Sequence, residues 1–431
     1  YLGKLNDEEI GKLKNQGYLL FDNIGKTGLE KTYESQLRGK YGIKKVEVDA
    51  TGHEQTVLAE DPPKPGKNLI LTLDLEAQKK LEELMKNMLV KINKKRGAAI
   101  AIDPRDGSIL AMVSLPAFNN NEFSGGITQQ NYNNYINNPD NPLFNRAIGG
   151  TYPSGSTVKP IISAAALQEK IITPHTAFLS VGGLQVGDRF FKDWKVGGHG
   201  ITNVNKAIAW SVNTFFYYIG GGFKEFVGLG VDRIIKYMRY FGIAQKTGID
   251  LSGEVAGFAP DKDWKYKIKG ETWFVGDTYN LSIGQGDLLV TPLQVAVWTA
   301  AVANGGTVIQ PHLAAKLEEP VTHKKIILNF DKHGVPVSPK NLAIVRQGMK
   351  DCVTYGSCQI MKDLPFTSGG KTGTAQWSSN KENHAWFTSF APFDSPKIVV
   401  TILIEEGDEG SVAAEPVARN FLMWWGKKYL N

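Results

Sequence analysis

Ser156-Thr157-Val158-Lys159-Pro160-Ile161-Ile162-Ser163-Ala164-Ala165-Ala166-Leu167 reads as a helix buried on all sides, with a serine and a lysine in its first turn. Residues i and i+3 share a helix face, so Lys159 can reach the Ser156 hydroxyl. Downstream stand Ser211-Val212-Asn213 and then Lys371-Thr372-Gly373, and the three short segments have to be read together. None is informative alone. Lys-Thr-Gly recurs at Lys26 and Lys246, and Ser-x-x-Lys recurs at Ser368 and Ser378.

Context selects among the copies. Ser368 is followed by two glycines, which are poor helix formers. Lys371 lies in Phe366-Thr367-Ser368-Gly369-Gly370-Lys371-Thr372-Gly373-Thr374-Ala375-Gln376, whose glycines suit a strand approached closely by backbone or ligand. Lys26 opens a turn running into a helix, and Lys246 precedes a surface turn. A phosphate-binding loop at Gly25-Lys26-Thr27 is excluded because Leu20 stands where the motif needs a glycine.

With 431 residues, 42% hydrophobic and 21% charged, the chain has the composition of a globular protein large enough for two or more domains. The net charge of +6 is spread along the chain rather than clustered, which argues against a nucleic-acid partner. No apolar run is long enough to span a bilayer. The absence of a leading methionine suggests a trimmed or processed fragment from which an anchor could have been removed. Cys352 and Cys358 are consistent with either a structural pair or two buried thiols.

Asp61-Pro62-Pro63-Lys64-Pro65-Gly66 continues neither a helix nor a central strand, so it marks a boundary. Before it the spacing predicts a helix over 29–38 and a strand over 44–49. After it come a strand over 68–73, Asp74 as a cap, and a helix whose Leu81, Leu84, Met85, Met88, Leu89 and Ile92 form a core stripe. Residues 97–102 and 108–113 flank a turn and read as a hairpin. Two apolar strands follow the lysine strand, at 385–390 and 397–404. A closing helix spans 417–429, its Trp424-Trp425 pair packing on the sheet rather than on a membrane surface. The fold class expected is α+β, an antiparallel sheet flanked by helices.

The chemistry is covalent. A serine hydroxyl is a weak nucleophile until an adjacent base takes its proton. Lys159 can be that base if burial and a nearby cation, for which Lys371 is the candidate, lower its pKa. Ser211 would relay a proton to the leaving amine, and Asn213 would hold Lys159 and the substrate amide. Taken alone, Ser211-Val212-Asn213 reads as a helix cap, and it is the other two motifs in the correct order that favour the functional reading. The backbone N–H groups of Ser156 and Thr374 would form an oxyanion hole if helix start and strand face each other. Lys371, Thr372, Gly373 and Thr374 make a site for a substrate carboxylate, which predicts a peptide with a free carboxyl end.

The three motifs in this order, with Gly150-Thr151-Tyr152-Pro153-Ser154-Gly155 before Ser156, Asp193-Trp194-Lys195-Val196-Gly197-Gly198-His199-Gly200 and Gly284-Gln285-Gly286, resemble the class B penicillin-binding proteins of the elongation type. The resemblance implies a transpeptidase fold like that of serine β-lactamases. It implies a pedestal, of dimerisation-domain type, built in part from residues 1–66, and a transpeptidase domain over 67–431. It also implies peptidoglycan D,D-transpeptidation through an acyl-Ser156 intermediate at D-Ala-D-Ala, β-lactam binding, and a role in rod-shape maintenance. The expected partners are stem peptides, a RodA-type glycosyltransferase and an MreC-like scaffold. The expected place is the outer face of the bacterial cell membrane, held by an N-terminal anchor. No cofactor is expected.

Some relatives bind zinc through an acidic residue, the Asp and His of the Asp-Trp-Lys to Gly-His-Gly segment, and a cysteine. Here Asp193 and His199 remain, but Ser180 and Val212 stand at the other two positions, too few good ligands for a closed tetrahedral site. No metal is expected, and His199 is expected to hydrogen-bond Asp193. A β-lactamase or a non-catalytic β-lactam sensor would share the motifs. The 215 positions between Ser156 and Lys371 and the extra N-terminal segment argue against the first, and the complete set of reactive groups against the second.

Overall fold

A computed structural model describes residues 1–430. Its centre is a five-stranded antiparallel sheet built from β1 (Gly97–Ile102), β2 (Ile109–Leu115), β3 (Gly369–Ala375), β4 (His384–Ala391) and β5 (Ile398–Ile404), in the spatial order β3-β4-β5-β1-β2. The expected antiparallel sheet covered by helices is therefore present. Side chains alternate across a strand, so each strand feeds two separate cores. Ala98, Ile100, Trp386, Phe390, Val399 and Leu403 enter one, and Ala99, Ala101, Phe387, Val400 and Ile402 enter the other. Because both faces are covered, β1, β4 and β5 are buried throughout, which explains why they read as continuous apolar runs.

One face is covered by α1 (Leu75–Lys91) and the closing helix α7 (Glu415–Tyr429). Asp74 caps α1 as expected, accepting the Glu76 and Ala77 N–H groups. Leu81, Met85, Met88 and Leu89 of the expected stripe are buried, and Leu84 and Ile92 pack at its margin. Trp425 is buried beside Phe421 and Leu422, each of the latter two contributing about 1.5–3 kcal/mol by leaving water.

The other face carries α2 (Lys159–Gln168), α3 (Val204–Ala209), α4 (Asn213–Gly221), α5 (Pro292–Ala303) and part of α6 (Pro339–Thr354). Every residue of α5 is buried, as its lack of a polar stripe demands. Thr291 and Gln294 close its first turn reciprocally, each side chain accepting the other's backbone N–H.

The N-terminal part is lightly packed. Its hairpin, Ile43–Val48 with Glu54–Asp61, is exposed along most of both strands. The helix expected over 29–38 is two pieces, Gly28–Thr32 and Glu34–Leu37, broken at Tyr33. The Tyr33 hydroxyl donates to Asp250 at 3.0 Å, and this long-range contact overrides the local helical preference. No helix among the described residues is long and apolar enough to cross a membrane.

Candidate active site

Ser156 sits on a tight 3-10 turn, Gly155–Val158, that leads into α2. With three residues per turn, positions i and i+3 lie one above the other, which puts Lys159 under Ser156. Ser156 is partly accessible while Ser154, Thr157, Val158 and Lys159 around it are buried. The turn is held from outside. Gly155 (φ 51°) donates its N–H to the Gly284 carbonyl at 2.9 Å, and Tyr152 donates its hydroxyl to Glu405, which also accepts from buried Arg146. A Cβ at Gly155 would come within 2.7 Å of the Thr374 carbonyl, so the helix start and β3 face each other at backbone contact. That is the apposition required for N–H groups of Ser156 and Thr374 to converge.

Lys159 is fully buried, and its Nζ donates to Asn213 Oδ1 at 2.6 Å, to the Ser211 carbonyl at 2.8 Å and to Ser211 Oγ at 3.2 Å. Burial lowers its pKa to about 7, with nearby Asp193 pulling in the opposite direction. Burial, reinforced by the charge of Lys159, pushes Lys371 well below the usual lysine range. Lys371 is fully buried and donates to the Thr372 carbonyl at 3.0 Å. Thr372 and Thr374, two apart on β3, project into the open cleft instead. Of the residues expected to take a carboxylate, the two threonines thus line the cleft, Thr374 partly accessible and Thr372 nearly buried, with Lys371 behind them.

The cap reading of Ser211-Val212-Asn213 does not hold for these side chains. Asp193 caps α4, its carboxylate accepting the N–H groups of Asn213 (3.1 Å) and Thr214 (2.9 Å) and the Thr214 hydroxyl (2.7 Å). Ser211, at φ 56°, and Asn213 are left free to hold Lys159.

The expected His199–Asp193 hydrogen bond is absent. Asp193 is already saturated, since Trp194 N–H and the Ser180 hydroxyl also donate to it. The His199 ring packs against Trp194, its Nε2 has no partner among the described residues, and burial lowers its pKa. Ser180 Oγ is 3.3 Å from both Asp193 and Thr214 Oγ1, and Val212 offers no donor atom. This hydrogen-bonded cluster does not fit a tetrahedral zinc.

Among the decoys, Lys26 pairs with Glu9, Lys246 is exposed, and Ser368 is buried at the start of β3. The cleft, of about 380 Å³, collects Ser156, Ser211, Asn213, Thr372 and Thr374. It also contains residues whose roles sequence reasoning missed. Gln285 clamps the end of β3, donating to the Thr374 carbonyl at 3.1 Å and accepting from Gln376 N–H at 3.2 Å. Trp194 forms a wall, and Ser357 reaches Thr372. Cys352 and Cys358, left open by sequence, form a disulfide.

Comparison with known proteins agrees with this fold. The family model for the penicillin binding protein transpeptidase domain matches residues 97–423, and that for the penicillin-binding protein dimerisation domain matches residues 1–71. The chain belongs to the class B penicillin-binding proteins of PBP2 type. It is 37% identical to the peptidoglycan D,D-transpeptidase MrdA of Haemophilus influenzae, over 99% of this chain and 67% of that protein. Against MrdA of Escherichia coli strain K12 the identity is 34%, over 95% of this chain and 66% of the relative. The Helicobacter pylori penicillin-binding protein PBP2, solved in complex with MreC, superimposes with a TM-score of 0.86 at 33% identity, covering all of this chain and 77% of that one. Pseudomonas aeruginosa PBP2 in complex with WCK 5153 gives 0.82 at 33% identity, over all of this chain and 88% of that one. As a penicillin-binding protein the chain keeps the family fold over its whole described length.

Proposed function

We propose that this protein is a peptidoglycan D,D-transpeptidase that cross-links stem peptides in cell-wall elongation. The observation that carries the proposal is the state of Lys159, whose buried amine is shifted to about 7 and tied to both Ser211 and Asn213. A lysine so placed is substantially neutral near pH 7 and serves as a base.

In this reading Lys159 accepts the Ser156 proton as Oγ attacks the carbonyl of the penultimate D-Ala. The N–H groups of Ser156 and Thr374 hold the oxyanion, and Ser211 passes a proton to the departing D-Ala amine. Thr372 and Thr374 hold the terminal carboxylate, with the Lys371 side chain and the Gly373 backbone behind them. The acyl-Ser156 ester then waits for the amine of a neighbouring stem peptide. β-Lactams enter the same route because they present a strained amide and a carboxylate to the same groups.

We read residues 1–66 as part of a pedestal and 67–431 as the catalytic domain. The protein acts outside the cytoplasm. We place it on the extracytoplasmic face of the cell membrane, held by an N-terminal anchor, alongside a RodA-type polymerase and an MreC-like scaffold.

Intact mass after mixing with benzylpenicillin, with Ser156→Ala as control, tests the reading. A persistent adduct mapping to Ser156 is expected. An adduct lost within seconds would mean hydrolysis rather than transfer, and none in the native chain would overturn the assignment of Ser156.

A further inference from the structure

We propose that Ser357 is a substrate-positioning residue that orients the Thr372 hydroxyl toward the substrate carboxylate. The inference rests on the reading that Thr372 binds that carboxylate. Ser357 Oγ lies 2.9 Å from Thr372 Oγ1, and both side chains line the cleft that holds Ser156. A hydroxyl has one proton and two lone pairs. Ser357 Oγ also lies 3.3 Å from Cys352 Sγ, a weaker acceptor than the Thr372 oxygen, so the arrangement we propose has Ser357 donating to Thr372 and leaves the Thr372 proton for the cleft. The pair therefore presents a single directed O–H to the cleft, where an isolated Thr372 hydroxyl would rotate.

The position of Ser357 is fixed by its loop. Its N–H donates to the Ala209 carbonyl at 3.0 Å, two residues before Ser211. Preceding Gly356 packs so tightly on the same carbonyl that a Cβ there would lie 2.3 Å from it. The Cys352–Cys358 disulfide closes the loop at the end of α6, with both cysteines fully buried. Cys358 N–H also donates to the Cys352 carbonyl at 2.9 Å, and its Sγ sits 3.5 Å from the place a Cβ on Gly370 would take. One short covalently closed loop thus touches the chain just before Ser211 on one side and β3 beside Lys371 on the other. Its only side chain turned between these elements into the cleft is Ser357.

The test compares acylation of the whole chain by benzylpenicillin and by its methyl ester, which lacks the negative carboxylate. For each, the encounter constant and the maximal acylation rate are separated by varying reagent concentration. Ser357→Ala is expected to weaken the benzylpenicillin encounter about tenfold, as for loss of an oriented hydrogen bond to a charged group. The maximal rate should stay within about twofold, the ester should be unaffected, and Ser357→Thr should restore the encounter. Equal losses for acid and ester, or no change in either, would overturn the proposal. Failure of the native chain to acylate at all would overturn the parent reading, and this one with it.

Discussion

The Asp193 carboxylate accepts the Asn213 backbone N–H at 3.1 Å and so caps the very helix whose first residue holds Lys159. One acidic group therefore does two things. It satisfies the helix start, and it partly opposes the lowering of the Lys159 pKa by burial. Asp193→Asn would turn an amide donor toward the Thr214 donors, which costs more than loss of the bond alone. We expect a loss of about 1–3 kcal/mol in stability, seen as a lower unfolding midpoint. Removing the negative charge also lowers the Lys159 pKa further, so the acid limb of the acylation rate should move below its native position near 7.

The Ser156 helix and the lysine strand were legible because their signals are local: an apolar helix with an i, i+3 pair, and a glycine-bordered strand. Asp193, Gln285 and Ser357 carried no such signal. Each acts on a residue far along the chain, and only the folded path brings Ser357 to Thr372 or Gln285 to Thr374. His199 misled for a related reason. Their shared place in the zinc-binding pattern of some relatives suggested Asp193 as its partner, but the start of α4 had already taken the carboxylate.

Gly284 should tolerate no side chain. It has φ 75°, and a Cβ there would lie 2.0 Å from the Gly155 carbonyl, at the residue before the nucleophile. Gly284→Ala must therefore push the Ser156 turn away from Thr374. Displacement of reacting groups by about 1 Å can cost about 100-fold in rate. We expect a fall of that order in the maximal acylation rate, measured by adduct mass against time, with a smaller drop in thermal stability. An unchanged rate would mean that the turn is not held by this contact.

Glu415, at the start of α7, is buried with Oε1 unpartnered among the described residues, and burial raises its pKa to about 8. Its folded value lies above the unfolded one of 4.5, so the unfolded chain ionises first. Stability from this group is complete below about pH 4.5 and is lost as pH rises through about 8. Glu415→Gln removes the ionisation. The variant should show a flatter unfolding midpoint between about pH 5 and 8, and a higher midpoint than the native chain at pH 8.

Lys159 has the opposite sign. Its folded pKa of about 7 lies below the unfolded 10.5, so the unfolded chain binds the extra proton between these values and stability rises with pH across that window. The same deprotonation generates the base, so the acylation rate should climb with pH and reach half its plateau near 7. Lys159→Met should abolish acylation and reduce the rise in stability above pH 7, the part that comes from buried Lys371 remaining, while leaving the Glu415 slope below it. Melting curves of the two variants over pH 5 to 9, paired with acylation rates, separate the groups. Glu415→Gln alters only the stability profile, whereas Lys159→Met alters both. A native acylation rate independent of pH between 6 and 8 would show that Lys159 is not the group that takes the Ser156 proton.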